Sequence, residues 1–120
     1  MKRVLIVEDE ERLAAFIEKG LRKNGFTTAV VYDGEQALEM AVGKDFGLLL
    51  LDLGLPQKDG WAVLKELRSR KVKIPIIIIT ATSEDSNRQL AFSLGADDYV
   101  NKPFRFSDLL DKVKSHSHQN

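Results

Sequence analysis

The chain has no cysteine in its 120 residues. That excludes disulfides, thiolate catalysis and cysteine-based metal sites, and it fits a reducing compartment. No charged start followed by an apolar stretch and a small-residue cleavage site is present. The longest apolar run, Ile74-Pro75-Ile76-Ile77-Ile78-Ile79, falls far short of the roughly 20 residues that cross a bilayer. The expectation is a soluble cytoplasmic protein without membrane contact. Net charge is lacking too, with 18 Lys plus Arg against 18 Asp plus Glu. A strong global attraction to nucleic acid or to an anionic membrane is thereby excluded. Repeats, low-complexity blocks and linkers are missing. So are GxGxxG, GxxxxGK[ST] and a serine nucleophile elbow, which removes dinucleotide, P-loop and serine-hydrolase readings.

What is present is ordinary globular composition, 43% hydrophobic and 30% charged. The length predicts one domain that buries roughly 65% of its unfolded surface. Val4-Leu5-Ile6-Val7 reads as a strand buried on both faces. Leu13, Phe16, Ile17 and Leu21 follow at helical spacing and stop at Asn24-Gly25. Residues 27–32 are β-branched and read as a second strand. A helical period returns in residues 35–42 through Leu38, Ala41 and Val42, after the turn signal Asp33-Gly34. Leu48-Leu49-Leu50-Leu51-Asp52 is a third strand by its length and its flanking glycines. The loop around Leu55-Pro56 leads to a helix marked by Trp61, Leu64 and Leu67. A fourth strand spans 76–80, a helix 84–94, a short fifth strand 97–101, and a last helix carries Phe106, Leu109, Leu110 and Val113. The tail Ser115-His116-Ser117-His118-Gln119-Asn120 reads as a frayed end, with its histidines idle. Alternating apolar strands and helices predict a parallel sheet covered on both sides, with right-handed crossovers.

Ligands of an open parallel sheet bind beyond the carboxyl ends of its strands. This sequence puts Glu8, Asp9, Glu10 and Glu11 after the first strand, Asp52 at the end of the third, Thr80 at the end of the fourth and Lys102 after the fifth. Singly, each has a plain reading as a helix cap, a structural hydroxyl or a surface charge, and for Glu10 and Glu11 that reading is preferred. Together they make a chemical set. Crowded carboxylates repel, and a hard divalent cation such as Mg²⁺ relieves the repulsion. A carboxylate is also a nucleophile toward phosphorus, while a hydroxyl, an ammonium and a metal can bind the phosphoryl oxygens.

These residues carry a resemblance. Val4-Leu5-Ile6-Val7-Glu8-Asp9-Glu10, Leu51-Asp52-Leu53-Gly54-Leu55-Pro56 with Asp59-Gly60, Ile79-Thr80-Ala81, and Gly95-Ala96-Asp97-Asp98-Tyr99-Val100-Asn101-Lys102-Pro103-Phe104 resemble the receiver (response-regulator) domain of bacterial two-component signalling. The likeness runs from about Lys2 to about Val113. It implies a flavodoxin-like (βα)5 doubly wound parallel sheet in the order 2-1-3-4-5. It implies one receiver domain over residues 1–120, with 115–120 as a flexible tail. Asp52 is then the phosphoacceptor from a sensor histidine kinase. Glu8, Asp9, Asp52 and the backbone carbonyl of Gly54 hold Mg²⁺ (Mn²⁺ as a substitute), Glu8 through water. Thr80 and Lys102 contact the phosphoryl group, and Thr80 with Tyr99 forms the switch, Tyr99 turning inward on activation.

The motifs are most similar to the subfamily that carries a C-terminal winged-helix DNA-binding domain, which this chain lacks. Either a receiver has been detached from a longer protein or it stands alone, and the resemblance weighs toward the former. The residues present imply no nucleic-acid binding of their own. Gly54, Thr82 and Asn101 depart from the usual pattern; the resemblance puts the first two beside the phosphoryl group, where they tune attack by water and so the lifetime of the phosphorylated form. The resemblance implies a homodimer through the fourth helix, fifth strand and fifth helix, with Arg88, Asp98, Asp108 and Lys112 as its surface. Cross-subunit pairs are expected between Arg88 and Asp108 and between Asp98 and Lys112. The competing functions are a small aspartate-nucleophile phosphatase or phosphotransferase, and a pseudo-receiver that only binds proteins. The first lacks an insertion large enough for a substrate cap, and the complete residue set argues against the second. The reading is a signalling switch and not a turnover enzyme.

Overall fold

The computed structural model describes residues 3–43, 45–55, 58–81 and 85–117. Strands β1 (Arg3–Val7), β2 (Thr27–Val31), β3 (Leu48–Asp52), β4 (Ile76–Thr80) and β5 (Asp98–Asn101) alternate with helices α1 (Glu11–Lys23), α2 (Gly34–Gly43), α3 (Gly60–Ser69), α4 (Asp85–Ser93) and α5 (Phe106–Ser117). All strand pairs are parallel, in the order β2-β1-β3-β4-β5. The expected (βα)5 sheet is therefore the fold. No helix among the described residues is long and apolar enough to cross a membrane.

The two central strands show why the apolar runs fold this way. Every residue of β3 and β4 is buried, because helices cover both faces of the sheet. Edge strand β2 is only partly buried until Val31. One core layer contains Leu5, Leu49, Leu51, Leu64, Leu67, Ile76 and Ile78. The other contains Ile6, Ile17, Leu21, Leu50, Ile77, Ile79 and Leu109. Alternation along each strand sends successive side chains into opposite layers.

Several expectations are corrected. Phe16 is not on the buried face of α1; it is 53% exposed, and Ala14, Ile17 and Leu21 form the buried stripe. Two residues past Ala14 is about 200° round the helix, so Phe16 looks outward and packs edge-on to Phe106 at 5.8 Å. Val42 likewise falls outside the stripe of Ala37, Leu38 and Ala41 and is exposed. Tyr32 lies beyond β2 and is exposed. Asp97 stands before β5, because its carboxylate is occupied in capping the Ile76 amide and pairing with Arg68. The last helix continues to Ser117, three residues into the stretch read as tail. Ser117 is buried and His116 pairs with Asp98, so this turn is packed. Pro56, Thr82, Glu84 and His118 lie outside the described residues.

Candidate functional site

Register brings the site together. Val7 of β1 is level with Val31 and with Leu51, Asp52 with Ile79, and Thr80 with Asn101. The carboxyl ends of the strands therefore open on one edge, and Glu8, Asp52, Thr80 and Lys102 arrive there from four chain segments. The Glu8 amide continues the ladder to the Val31 carbonyl at 3.1 Å. The Lys102 amide donates to the Thr80 carbonyl at 2.7 Å, which ties the loop after β5 to β4; the Lys102–Pro103 peptide is cis. Gly60 lets α3 start against the backbone of Asp52, where a Cβ would sit 2.3 Å from the Asp52 carbonyl oxygen. Asp59 caps that helix by accepting from the Ala62 amide at 2.9 Å.

Carboxylate oxygens of Glu8, Asp9 and Asp52 all lie within 4.8 Å of one another. Glu8 is 1% and Asp52 6% exposed, whereas Asp9 faces solvent. Lys102 Nζ approaches Glu8 Oε1 at 3.0 Å, Asp52 Oδ2 at 3.3 Å and Glu10 Oε2 at 3.9 Å. It hydrogen-bonds Glu8 Oε2 at 3.3 Å and Asp52 Oδ2 at 3.3 Å. The short approach to Oε1 is an ion-pair contact without hydrogen-bond geometry, so that buried oxygen has no hydrogen-bond donor among the described residues. The Glu10 amide donates to Glu8 Oε2 at 3.1 Å, and the Gly54 amide to Asp52 Oδ1 at 3.1 Å.

The electrostatics result from this crowding. Burial pushes the Glu8 carboxyl up to about 7; the Asp52 charge adds to the rise, while the Glu10 amide and Lys102 oppose it. Burial works against the charge of Lys102. The hydrogen bond to Glu8 and the charges of Asp52, Glu8 and Glu10 outweigh it, and the ammonium is held above its ordinary range. Three carboxylates face one ammonium, and a buried oxygen lacks a donor. A hard divalent cation fits that donor set, since it takes oxygen ligands and offsets the excess negative charge.

Thr80 is buried at the end of β4, and Gly54 is exposed beside Asp52; among the described residues only Asp52 Oδ1, at 4.0 Å, would come near a Cβ at Gly54. Tyr99, expected to turn inward on activation, is already buried at 6% exposure. The four surface charges are separately placed. Lys112 Nζ pairs with Asp98 Oδ1 of its own chain at 3.1 Å, not awaiting a second copy. The Arg88 guanidinium stands over the Phe92 ring at 5.9 Å, and Asp108 is exposed in the first turn of α5.

Two features escaped sequence reasoning. Glu10, read as a solvated cap, holds the Glu8 carboxylate through its amide and brings its own carboxylate near Lys102. Its place two residues after a strand-terminal acid was the available signal. Arg68, at the opposite end of the sheet, bridges Gly95, Val72 and Asp97. No local pattern announces a contact 29 residues away.

Comparison with known proteins gives this site its context. The model of the response regulator receiver domain matches residues 4–114. The transcriptional activator protein IrlR of Burkholderia pseudomallei is 42% identical over 113 residues, which cover 94% of this chain and 49% of that protein. The receiver domain of the Francisella response regulator 1452 superposes with a TM-score of 0.95 at 31% identity, over 98% of this chain and 97% of the other. The response regulator TrrA of Thermotoga maritima, solved in complex with Mg²⁺ and BeF, superposes at 0.86 with 34% identity, over 96% and 98% of the two chains. The chain belongs to the response regulator receiver family. It spans about half the length of the curated relative it matches.

Proposed function

We propose that the chain is a phosphorylation-driven signalling switch of a two-component system, with Asp52 as its phosphoacceptor. The observation that carries this is the environment of Asp52. It ends a fully buried strand, lies within 4.8 Å of Glu8 and Asp9 through carboxylate oxygens, and meets Lys102 Nζ at 3.3 Å. An Asp52 oxygen attacks the phosphorus of a kinase phosphohistidine; the P–N bond breaks, an acyl phosphate forms, and the imidazole leaves with a proton. Glu8, Asp9, Asp52 and the Gly54 carbonyl would hold Mg²⁺, which neutralises charge on the transferring phosphoryl group. Mn²⁺ suits the same oxygen donors. Lys102 and Thr80 bind the remaining phosphoryl oxygens. A receiver of this kind is a switch and not a turnover enzyme.

The partner is a sensor histidine kinase in the cytoplasm. In the whole protein the output is a DNA-binding domain, in keeping with the roughly twofold length of the relative named a transcriptional activator. The phosphoryl group draws Thr80 inward and shifts an existing equilibrium of the α4–β5–α5 surface toward a two-fold dimer. With the Tyr99 ring already inside, that shift acts mainly through Thr80 and the surface charges. The test is phosphorylation by a small phosphodonor with Mg²⁺, then intact-mass analysis and peptide mapping. A single hydroxylamine-labile adduct on Asp52 is expected. Labelling that persists unchanged in Asp52→Ala would overturn the assignment.

A further inference from the structure

The first turn of α2 lies against the turn that seats Asp52. A Cβ built on Gly34 would stand 1.8 Å from the Lys58 carbonyl oxygen, 2.7 Å from its carbonyl carbon and 2.9 Å from Lys58 Cβ. Non-bonded heavy atoms sit roughly 3.5 Å apart at best contact, and the oxygen in the way belongs to the backbone. By helix propensity alone, alanine would serve α2 better than glycine, so the close approach is what glycine admits here. Neither side retreats easily. Asp33 caps α2 by accepting from the Gln36 amide at 2.9 Å, and Ala37, Leu38 and Ala41 bury the helix against the sheet. On the other side, Lys58 Nζ reaches Glu66 Oε1 of α3 at 3.3 Å, and Asp59 caps that helix.

Two residues past Lys58 comes Gly60, which packs on the Asp52 carbonyl and donates its amide to the Leu53 carbonyl at 3.0 Å. Asp52 Oδ1 in turn accepts from the Gly54 amide at 3.1 Å. Close-packed backbone passes a displacement on to its neighbours. We propose that Gly34 is a positioning residue for the phosphoacceptor: by admitting the Lys58 carbonyl against the first turn of α2, it sets the turn on which the Asp52 carboxylate is seated. The role rests on the reading of Asp52 as phosphoacceptor. Gly34 acts through Lys58 and Gly60 and contributes no group to the chemistry. A side chain at position 34 displaces Lys58 and Gly60, and with them the Asp52 backbone. The Asp52 carboxylate then shifts against Glu8 and Asp9, whose oxygens lie within 4.8 Å of it and of one another. Mg²⁺ demands near-ideal octahedral geometry, so its binding is sensitive to that shift.

The test compares Gly34→Ala with Gly43→Ala, at the other end of the same helix, where a Cβ would meet nothing within 4 Å among the described residues. Three quantities are read on folded protein: Mg²⁺ affinity by calorimetry, the rate of Asp52 labelling by a small phosphodonor, and the NMR shift of the Gly54 amide. Gly34→Ala should weaken Mg²⁺ binding several-fold, slow labelling and move the Gly54 amide. Gly43→Ala should leave all three as in wild type. A Gly34→Ala chain with a lower denaturant midpoint but unchanged Mg²⁺ affinity and Gly54 signal would overturn the proposal, as would equal losses in Gly43→Ala. Lys58→Gly frees the same carbonyl from the loop side without adding an atom, and it decides the matter if Gly34→Ala does not fold. It should bind Mg²⁺ more weakly than Lys58→Ala, which loses the same ion pair to Glu66 but keeps a restrained backbone. Equal affinities in those two variants would again overturn the proposal. A wild-type chain that takes no label at Asp52 would overturn the phosphoacceptor reading instead, while the Mg²⁺ affinities and the Gly54 signal still decide whether Gly34 positions this turn.

Discussion

The two ends of the sheet use the same device to opposite effect. At each end a long cation reaches across two loops toward a carboxylate. At the amino end of the strands, Arg68 donates to the Gly95 carbonyl at 3.0 Å, the Val72 carbonyl at 2.8 Å and Asp97 Oδ2 at 3.0 Å, and the same Asp97 oxygen accepts from the Ile76 amide at 2.9 Å. One positive charge meets one negative charge, and the donors find acceptors. At the carboxyl end, Lys102 faces Glu8, Asp52 and Glu10, with Asp9 close by. There negative charge is in excess, and a buried Glu8 oxygen has no hydrogen-bond donor among the described residues. The first end is closed and serves stability. The second is left unbalanced, and the imbalance is what a divalent cation and a phosphoryl group can use.

The largest effect that separates the ends concerns pH. Glu8 is raised to about 7 from an ordinary 4.5. The folded carboxyl thus binds its proton more tightly than the unfolded one between those values. Stability is then highest at and below about pH 4.5, as far as Glu8 alone decides it, and falls as pH rises through 7. The loss is roughly 3 kcal/mol in the absence of metal. Urea melts across that window should show the decline in wild type and a flatter profile in Glu8→Gln. Equal slopes in the two proteins would mean that the carboxyl end is not strained.

Next comes the closed end. Arg68→Ala removes three hydrogen bonds and leaves Asp97 without its ion pair, at a cost of about 2 kcal/mol. Denaturant midpoints measure this, and labelling of Asp52 should persist under conditions where the variant is folded. Loss of labelling in folded Arg68→Ala would break the separation between the two ends.

A smaller change sharpens the comparison in the other direction. Asp9→Asn removes one like charge from the crowded end and should raise stability without metal by about 0.5 kcal/mol. Mg²⁺ stabilises the folded wild type by linkage, because the unfolded chain has no comparable site. The thermal shift on adding Mg²⁺ should therefore shrink in Asp9→Asn. Equal shifts would remove Asp9 from the ligand set. A comparably small effect is that of Lys112→Ala, whose ion pair is partly exposed and contributes about 0.2–1 kcal/mol to the monomer. The NMR shift of the Asp98 carboxyl carbon, which Lys112 Nζ approaches at 3.1 Å through Oδ1, should move while the melting midpoint barely does.

Much of the carboxyl end was legible from residue order. A run such as Leu48-Leu49-Leu50-Leu51 that stops at Asp52 marks both a doubly covered strand and the place where a carboxylate leaves it. The same rule located Glu8 and Thr80, because each comes directly after a buried run. Sequence order also set the alternation of strand and helix. Helix faces were less legible: three- and four-residue spacings admit Phe16 as readily as Ala14, and only packing against the sheet chose between them. The charges on α5 were harder still. Residue order suggests a pair between Lys112 and Asp98 of a second copy, whereas the folded chain brings Lys112 to its own Asp98 across 14 residues.

Local pattern controls which residues form strands and which terminate them, so residue order was enough for the parallel α/β class and for the acids, hydroxyl and lysine at the strand ends. Tertiary structure alone decided how these groups interact. Strand register brings Glu8 and Asp52 to Lys102 across separations of 94 and 50 residues, and burial there raises the Glu8 carboxyl. The same holds for Arg68 with Asp97 and for His116 with Asp98. Charge interactions depend on distance and on the surrounding medium, and both are properties of the packed chain and not of its order.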